Sequence, residues 1–188
     1  KLENNFLYKC SKAIRILDYS LINIEFFKKF KLNAYHLPFG WSPIIDPEYI
    51  INEKDKNIEI IFIGSLNERR NLILDKYDVN IYDKCFDKEY EEVTKKSKYC
   101  FNIHYYEGNT ILELTRIIPL ICRGVIVITE KSCDKYYDNI FKDICIFTDF
   151  KNFNINNLEQ YNIKKCVENK YKLIQKLNFV NIVTKHLS

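Results

Sequence analysis

The chain has 188 residues, 47% of them hydrophobic and 29% charged. That is enough for one well-buried domain, or one domain plus part of another, but short for two complete nucleotide-binding domains. Its net charge of +4 rests on 29 basic residues of which only Arg15, Arg69, Arg70, Arg116 and Arg123 are arginines, with no run of five Lys/Arg, so nucleic acid is excluded as an expected partner.

Taken in chain order, the pattern predicts a helix over 3–13, a strand over 14–18, an amphipathic helix over 20–30 and a strand over 33–38. A break follows from Pro38 to Asn57, holding Pro38, Pro43, Pro47 and the mixed-charge stretch EKDKN, and it reads as a linker. The alternation restarts with strand 58–63 (IEIIFI), a turn at Gly64-Ser65, helix 66–77, strand 79–82 and helix 86–97. Next come an apolar strand from Tyr99 to His104, a helix opening at Gly108-Asn109-Thr110, and a strand from Gly124 to Thr129. A helix near 132–140, a strand at 144–147 and helical sequence from about 155 to 184 complete the chain, with Tyr161, Tyr171, Ile174 and Phe179 as core contacts. Strands alternating with helices imply an α/β, Rossmann-like, mostly parallel sheet covered by helices on both faces.

In such a sheet a ligand lies beyond the carboxyl ends of the strands, and polar residues collect there. Tyr82 ends one strand where a nucleotide base would stack, His104 ends the next, and Glu130 follows the strand after that. Asn109, Glu113 and Arg116 fall at i, i+4 and i+7, a polar helix stripe in which Glu113 and Arg116 are close enough to pair. The small residues Gly108, Asn109 and Thr110 suggest a helix N-terminus suited to a phosphate. Ser65 and Glu68 have capping-box spacing directly after strand 58–63, with Gly64 allowing close approach and Arg69 and Arg70 offering guanidinium forks to anionic oxygens. Neither G-x-G-x-x-G nor G-x-x-x-x-G-K-[ST] occurs, which disfavours dinucleotide oxidoreductases and P-loop NTPases.

Seven cysteines without a C-x-x-C pair read as buried free thiols of a reducing compartment, and with no N-x-S/T sequon they point to a cytoplasmic protein. His36, His104 and His186 stand far from any cysteine pair, so no metal site is expected. No apolar stretch reaches the ~18 residues of a membrane span, so no transmembrane segment is expected. The chain opens at Lys1 and not at Met, as a piece of a longer polypeptide would.

Over about residues 58–150 the order FIGS, ERR, NIHYY, ILELTR, a glycine before VITE and a D-x-x-Y-x-x-I-F tail resembles the donor-binding C-terminal half of GT-B glycosyltransferases of the group 1 type. Residues 1–45 are similar to the end of an N-terminal domain plus hinge, leaving 46–188 as the Rossmann-like donor domain with its long C-terminal helix. The resemblance implies transfer of a sugar from a nucleoside-diphosphate sugar to an unknown glycan, lipid or protein acceptor, with no cofactor and no metal. It further implies that Gly64, Ser65, Arg69, Arg70, Tyr82, His104, Gly108, Asn109, Thr110, Glu113, Arg116 and Glu130 line the donor site, while the catalytic residues lie elsewhere. The chain departs from the family at Pro119, where many members carry a ribose-binding Glu, and a proline in mid-helix removes a backbone bond and kinks the helix. That departure keeps a second reading open, a non-catalytic nucleotide- or glycan-binding or partner-docking module.

Overall fold

A computed structural model describes residues 2–42, 51–108, 110–158 and 161–187. After a short 3-10 turn, β3 (Ile58–Ile63), α3 (Glu68–Leu74), β4 (Asn80–Tyr82), α4 (Asp87–Lys96), β5 (Ser97–Asn102), α5 (Leu114–Cys122), β6 (Ile126–Thr129), α6 (Lys135–Phe141) and β7 (Ile146–Phe147) alternate along the chain. The five strands form one parallel sheet in the order β4-β3-β5-β6-β7. The chain steps outward from β3 to β4 and then crosses back to lay β5 on the other side of β3. The carboxyl ends of β3 and β5 therefore flank the topological switch point, where open α/β sheets bind ligands.

Alternation along each strand feeds two cores. Ile61, Ile63, Cys100 and Val127 pack with Val93 of α4, Ile117, Ile118 and Ile121 of α5 and Leu173. Ile60, Phe62, Tyr99, Phe101, Ile126 and Ile128 face the other way, onto Ile73 and Leu74 of α3 and Phe150. Both sides of β3, β5 and β6 are thus dry, which is why these strands read as near-continuous apolar runs. Lys56, only 6% exposed, donates from Nζ to the carbonyls of Thr94 (3.3 Å), Ser97 (2.9 Å) and Arg123 (2.8 Å). One cation thereby ties the C-terminal end of α4 to the C-terminal end of α5, where helix dipoles favour positive charge.

Ahead of the sheet, α1 (Leu2–Ser11), β1 (Ile16–Asp18), α2 (Leu21–Lys29) and β2 (Ala34–His36) make a small βαβ unit whose two strands pair in parallel. Ser20 caps α2 and donates from its hydroxyl to Asp134, whose carboxylate also accepts from the Leu21 N–H, so the unit is fastened to α6. Gly40 is required where it stands, because a Cβ there would lie 2.6 Å from the Leu177 carbonyl oxygen. At the C-terminus α7 (Ile163–Lys176) packs on α5, and α8 (Phe179–Leu187) follows.

Several local expectations are corrected. The cap of α3 is Asn67, whose side chain accepts from the Arg70 N–H, so the Ser65–Glu68 capping box does not form. Helix α5 begins at Leu114 rather than at Gly108–Thr110, and it runs unbroken through Pro119. Tyr171 is 63% and Phe179 38% exposed, so neither is a core residue. All seven cysteines stand as free thiols, five of them buried, with Cys10 and Cys133 half-buried. Pro43 and Pro47 of the expected linker lie outside the described residues.

Candidate functional site

The site grows from the last residue of β5. Asn102, fully buried, accepts from Arg116 Nη1 at 3.1 Å and donates from Nδ2 to Glu113 (2.9 Å) and to Thr129 Oγ1 (3.0 Å). Glu113 and Arg116 therefore share Asn102 between them instead of forming a direct ion pair. Gly64, just past β3, has φ +144°, and a Cβ on it would come within 3.0 Å of Arg116 Nη2 and 3.6 Å of Arg70 Nη1. The missing side chain is what lets two guanidiniums approach the end of this strand.

His104 is the hub of the neighbouring network and only 3% exposed. Its Nδ1 lies 3.0 and 3.1 Å from the two Glu113 oxygens, and its Nε2 lies 3.2 Å from the Lys131 carbonyl. Both ring nitrogens thus face acceptors, the arrangement an imidazolium satisfies. Burial on its own would lower the pKa of His104, but the Glu113 hydrogen bond and charge outweigh it and hold the ring above its usual value. Burial likewise pushes Glu113 up, and the bonds from His104 and Asn102 with the charge of Arg116 bring it below the ordinary carboxylate range. The backbone of His104 is held as well: its N–H donates to Glu130 (2.9 Å) and its carbonyl accepts from Arg69 (2.8 Å). Arg69 also pairs directly with Glu130.

Arg70 is 2% exposed, and each of its three nitrogens is bonded within the protein. Nε and Nη2 donate to the Ile103 carbonyl, Nη1 donates to that of Ser65, and the guanidinium lies over the Phe62 and Tyr105 rings. Arg70 is therefore a brace that holds the β3 and β5 loops, while Arg69, bonded to Glu130 and the His104 carbonyl, stands on the wall of a separate cavity of about 550 Å³, and Arg116 lines the open space beside Gly64.

That space is a cleft of about 460 Å³, within the ~300–1,000 Å³ typical of small-molecule sites. It is walled by Gly64 and Ser65, by the turn from Asp83 to Asp87 with Tyr90, and by Thr115, Arg116 and Pro119 of α5. Sequence reasoning missed Asp83, Phe86, Tyr90 and Thr115; the turn at a strand's carboxyl end was the signal that pointed there. Tyr82 does not line this cleft; it accepts the Gly64 N–H on its carbonyl at 3.0 Å. Gly108 and Thr110 lie in a loop, joined by a bond from the Thr110 N–H to the Gly108 carbonyl, and not at a helix end. Asn109 lies outside the described residues. At the true start of α5 the N–H groups of Leu114, Arg116 and Ile117 are bonded to the carbonyls of Leu112 and Glu113. The Thr115 N–H is not among these, so on the α5 side of the cleft the positive groups are the Arg116 guanidinium and that one N–H. Among the described residues no cluster of three or more His, Cys, Asp or Glu is arranged to hold a metal ion, and no helix is long and apolar enough to cross a membrane.

No known family profile matches the chain. The uncharacterized protein R358 of Acanthamoeba polyphaga mimivirus is 29% identical over 127 residues, 65% of this chain and 43% of that protein. Among solved structures, a glycosyltransferase from Rickettsia africae superposes with a TM-score of 0.59 at 10% identity, over 97% of this chain and 65% of that one. The E. coli trehalose-6-phosphate synthase bound with UDP-2-fluoro glucose superposes with a TM-score of 0.58 at 8% identity, over 96% and 59%. The chain has the fold of GT-B glycosyltransferases. It spans between 43% and 65% of the lengths of these proteins.

Proposed function

We propose that this chain is the donor-binding part of a glycosyltransferase and holds the nucleoside diphosphate of a sugar donor in the cleft between the ends of β3 and β4 and the start of α5. The observation that carries the reading is the bare Gly64 with Arg116 beside it on the cleft wall, next to the switch point of a fold shared with glycosyltransferases. Arg116, oriented by Asn102, faces the diphosphate; as the sugar departs, negative charge grows on that group, and a fixed guanidinium stabilises it without reorganising. Arg69, Arg70, His104, Glu113 and Glu130 hold the two loops that frame the cleft. The acceptor, a glycan, lipid or protein, belongs to the complete enzyme, and the cytoplasm is the compartment that fits seven free thiols.

Pro119 favours the second reading, a binding module without catalysis, because it stands on the cleft wall where the resembled family places a ribose-binding carboxylate. Calorimetric titration with UDP, GDP and ADP tests the first reading. Dissociation constants in the high micromolar to millimolar range are expected; a folded chain that binds none of them at several millimolar overturns the donor cleft. Pro119→Glu then separates the two readings. It returns an N–H to face the Thr115 carbonyl and sets a carboxylate at the ribose position, so tighter binding supports a working donor site and unchanged binding supports the module.

A further inference from the structure

The charged side chains on the wall of the proposed donor cleft are Asp83, Asp87 and Arg116, among the described residues. They come from different elements: Arg116 from α5, Asp83 from the turn that follows β4, and Asp87 from the first residue of α4. Neither carboxylate has a hydrogen bond or ion pair with any described residue. Between them stands Phe86, 70% exposed, a large apolar ring left in water on the edge of a cavity. A diphosphate is repelled by the carboxylates and drawn to the guanidinium, so a nucleoside diphosphate is oriented end to end, its base against Asp83, Phe86 and Asp87.

From this we infer that the cleft selects guanine, so that the donor is a guanosine-diphosphate sugar; the inference rests on the donor reading above. An ionised carboxylate only accepts hydrogen bonds, through two oxygens. Guanine presents two adjacent donors on one edge, N1–H and N2–H, with no acceptor between them, and a single carboxylate takes both in parallel. Uracil offers one N–H flanked by two carbonyls, and adenine and cytosine each offer an amino group beside a bare ring nitrogen. Each of those edges turns an acceptor toward a carboxylate. Phe86 supplies a face for the base to stack on.

The test titrates the chain with GDP, 2′-deoxy-GDP, UDP, ADP, CDP and inorganic pyrophosphate by calorimetry, then repeats the series on the double variant Asp83→Asn, Asp87→Asn. Both positions are exposed, and Asn tolerates the φ of +48° at residue 87, so circular dichroism should show an unchanged fold. The expected result is GDP and deoxy-GDP binding at least about tenfold tighter than the other nucleotides, a preference lost in the double variant because GDP weakens while UDP and pyrophosphate, no longer repelled by the two carboxylates, bind at least as tightly as before. GDP binding no tighter than UDP or ADP overturns the inference and leaves the donor cleft standing. A double variant that weakens GDP and UDP alike while sparing deoxy-GDP assigns the carboxylates to the ribose and also overturns it. Failure of every nucleotide and of pyrophosphate to bind the folded chain instead rejects the donor reading itself.

Discussion

Replacing Glu113 by Gln tests whether the loop framing the cleft is locked by a charged pair. His104, with a side chain only 4% exposed, has its protonated form favoured by the Glu113 carboxylate 3.0 Å from Nδ1. Glutamine preserves shape and removes the charge, so the His104 pKa falls, with burial opposed only by the charge of Glu130 and the Lys131 carbonyl. A neutral ring can donate from one nitrogen only: Nε2 keeps its proton for the Lys131 carbonyl, and Nδ1 becomes an acceptor for the introduced amide, so a charge-assisted bond gives way to a neutral one. A hydrogen bond involving a charged group contributes about 1.5–3 kcal/mol and a neutral one about 0.5–1.5; with the Glu113 side chain 26% exposed, a loss of about 1 kcal/mol is expected. The sign with pH follows from the directions of the two shifts. The contribution of His104 is complete below about pH 6.5 and fades as pH rises through its raised folded value; that of Glu113 is complete above about 4.5 and fades as pH falls through its lowered one. Urea unfolding from pH 4 to 9 should therefore lose its alkaline decline in the variant, and the His104 ring signals in NMR should titrate at lower pH. A His104 midpoint in Glu113→Gln no lower than in the parent refutes the reasoning.

Arg70→Lys retains the charge but cannot bond the Ile103 and Ser65 carbonyls together, and it should cost about 3 kcal/mol in denaturant unfolding, since buried acceptors are left unmet. Gly64→Ala forces a side chain onto φ +144° and against Arg116, so we expect a loss of about 1–2 kcal/mol in thermal unfolding and a several-fold drop in affinity for pyrophosphate. Burial lowers the pKa of Lys56 to about 8 from 10.5 in the unfolded chain, so between those values the unfolded state binds more protons and this lysine's contribution to stability rises with pH; Lys56→Met, compared with the parent by unfolding at pH 8 and 10, should remove that increment.

The sheet was legible because its signal is local. Ile58–Ile63 forms a strand with the expected bounds, since five of its six residues are apolar, four in an unbroken run buried on both faces, and such a short run has no competing reading among short helices. The start of α5 was not legible, because Ile111 and Leu112 continue the apolar spacing of the helix although they precede it. Leu112 is fully buried from within a loop, and the chain turns sharply there, with the Leu114 N–H bonded back to the Leu112 carbonyl. Periodicity reports which side of a segment faces the core; it does not report where the backbone enters the helix.

For the site, residue types were legible and their duties were not. Arg70 follows a capped turn and looks solvent-facing, yet its partners are the carbonyls of Ser65 and of Ile103, the latter 33 residues further on. Main-chain acceptors leave no mark on a sequence, so a buried guanidinium that braces loops and an exposed one that meets phosphate read alike. Asn102 shows the same limit from the other side. It carries the family resemblance as the first residue of NIHYY without any duty legible there, but one amide orients Arg116 through its oxygen and Glu113 and Thr129 through its nitrogen. An amide can serve both signs of charge at once, which an aspartate or a lysine cannot. A position between a guanidinium and a carboxylate that must both be held near a cleft therefore suits asparagine, and the requirement becomes visible only when β5, β6 and α5 are brought together.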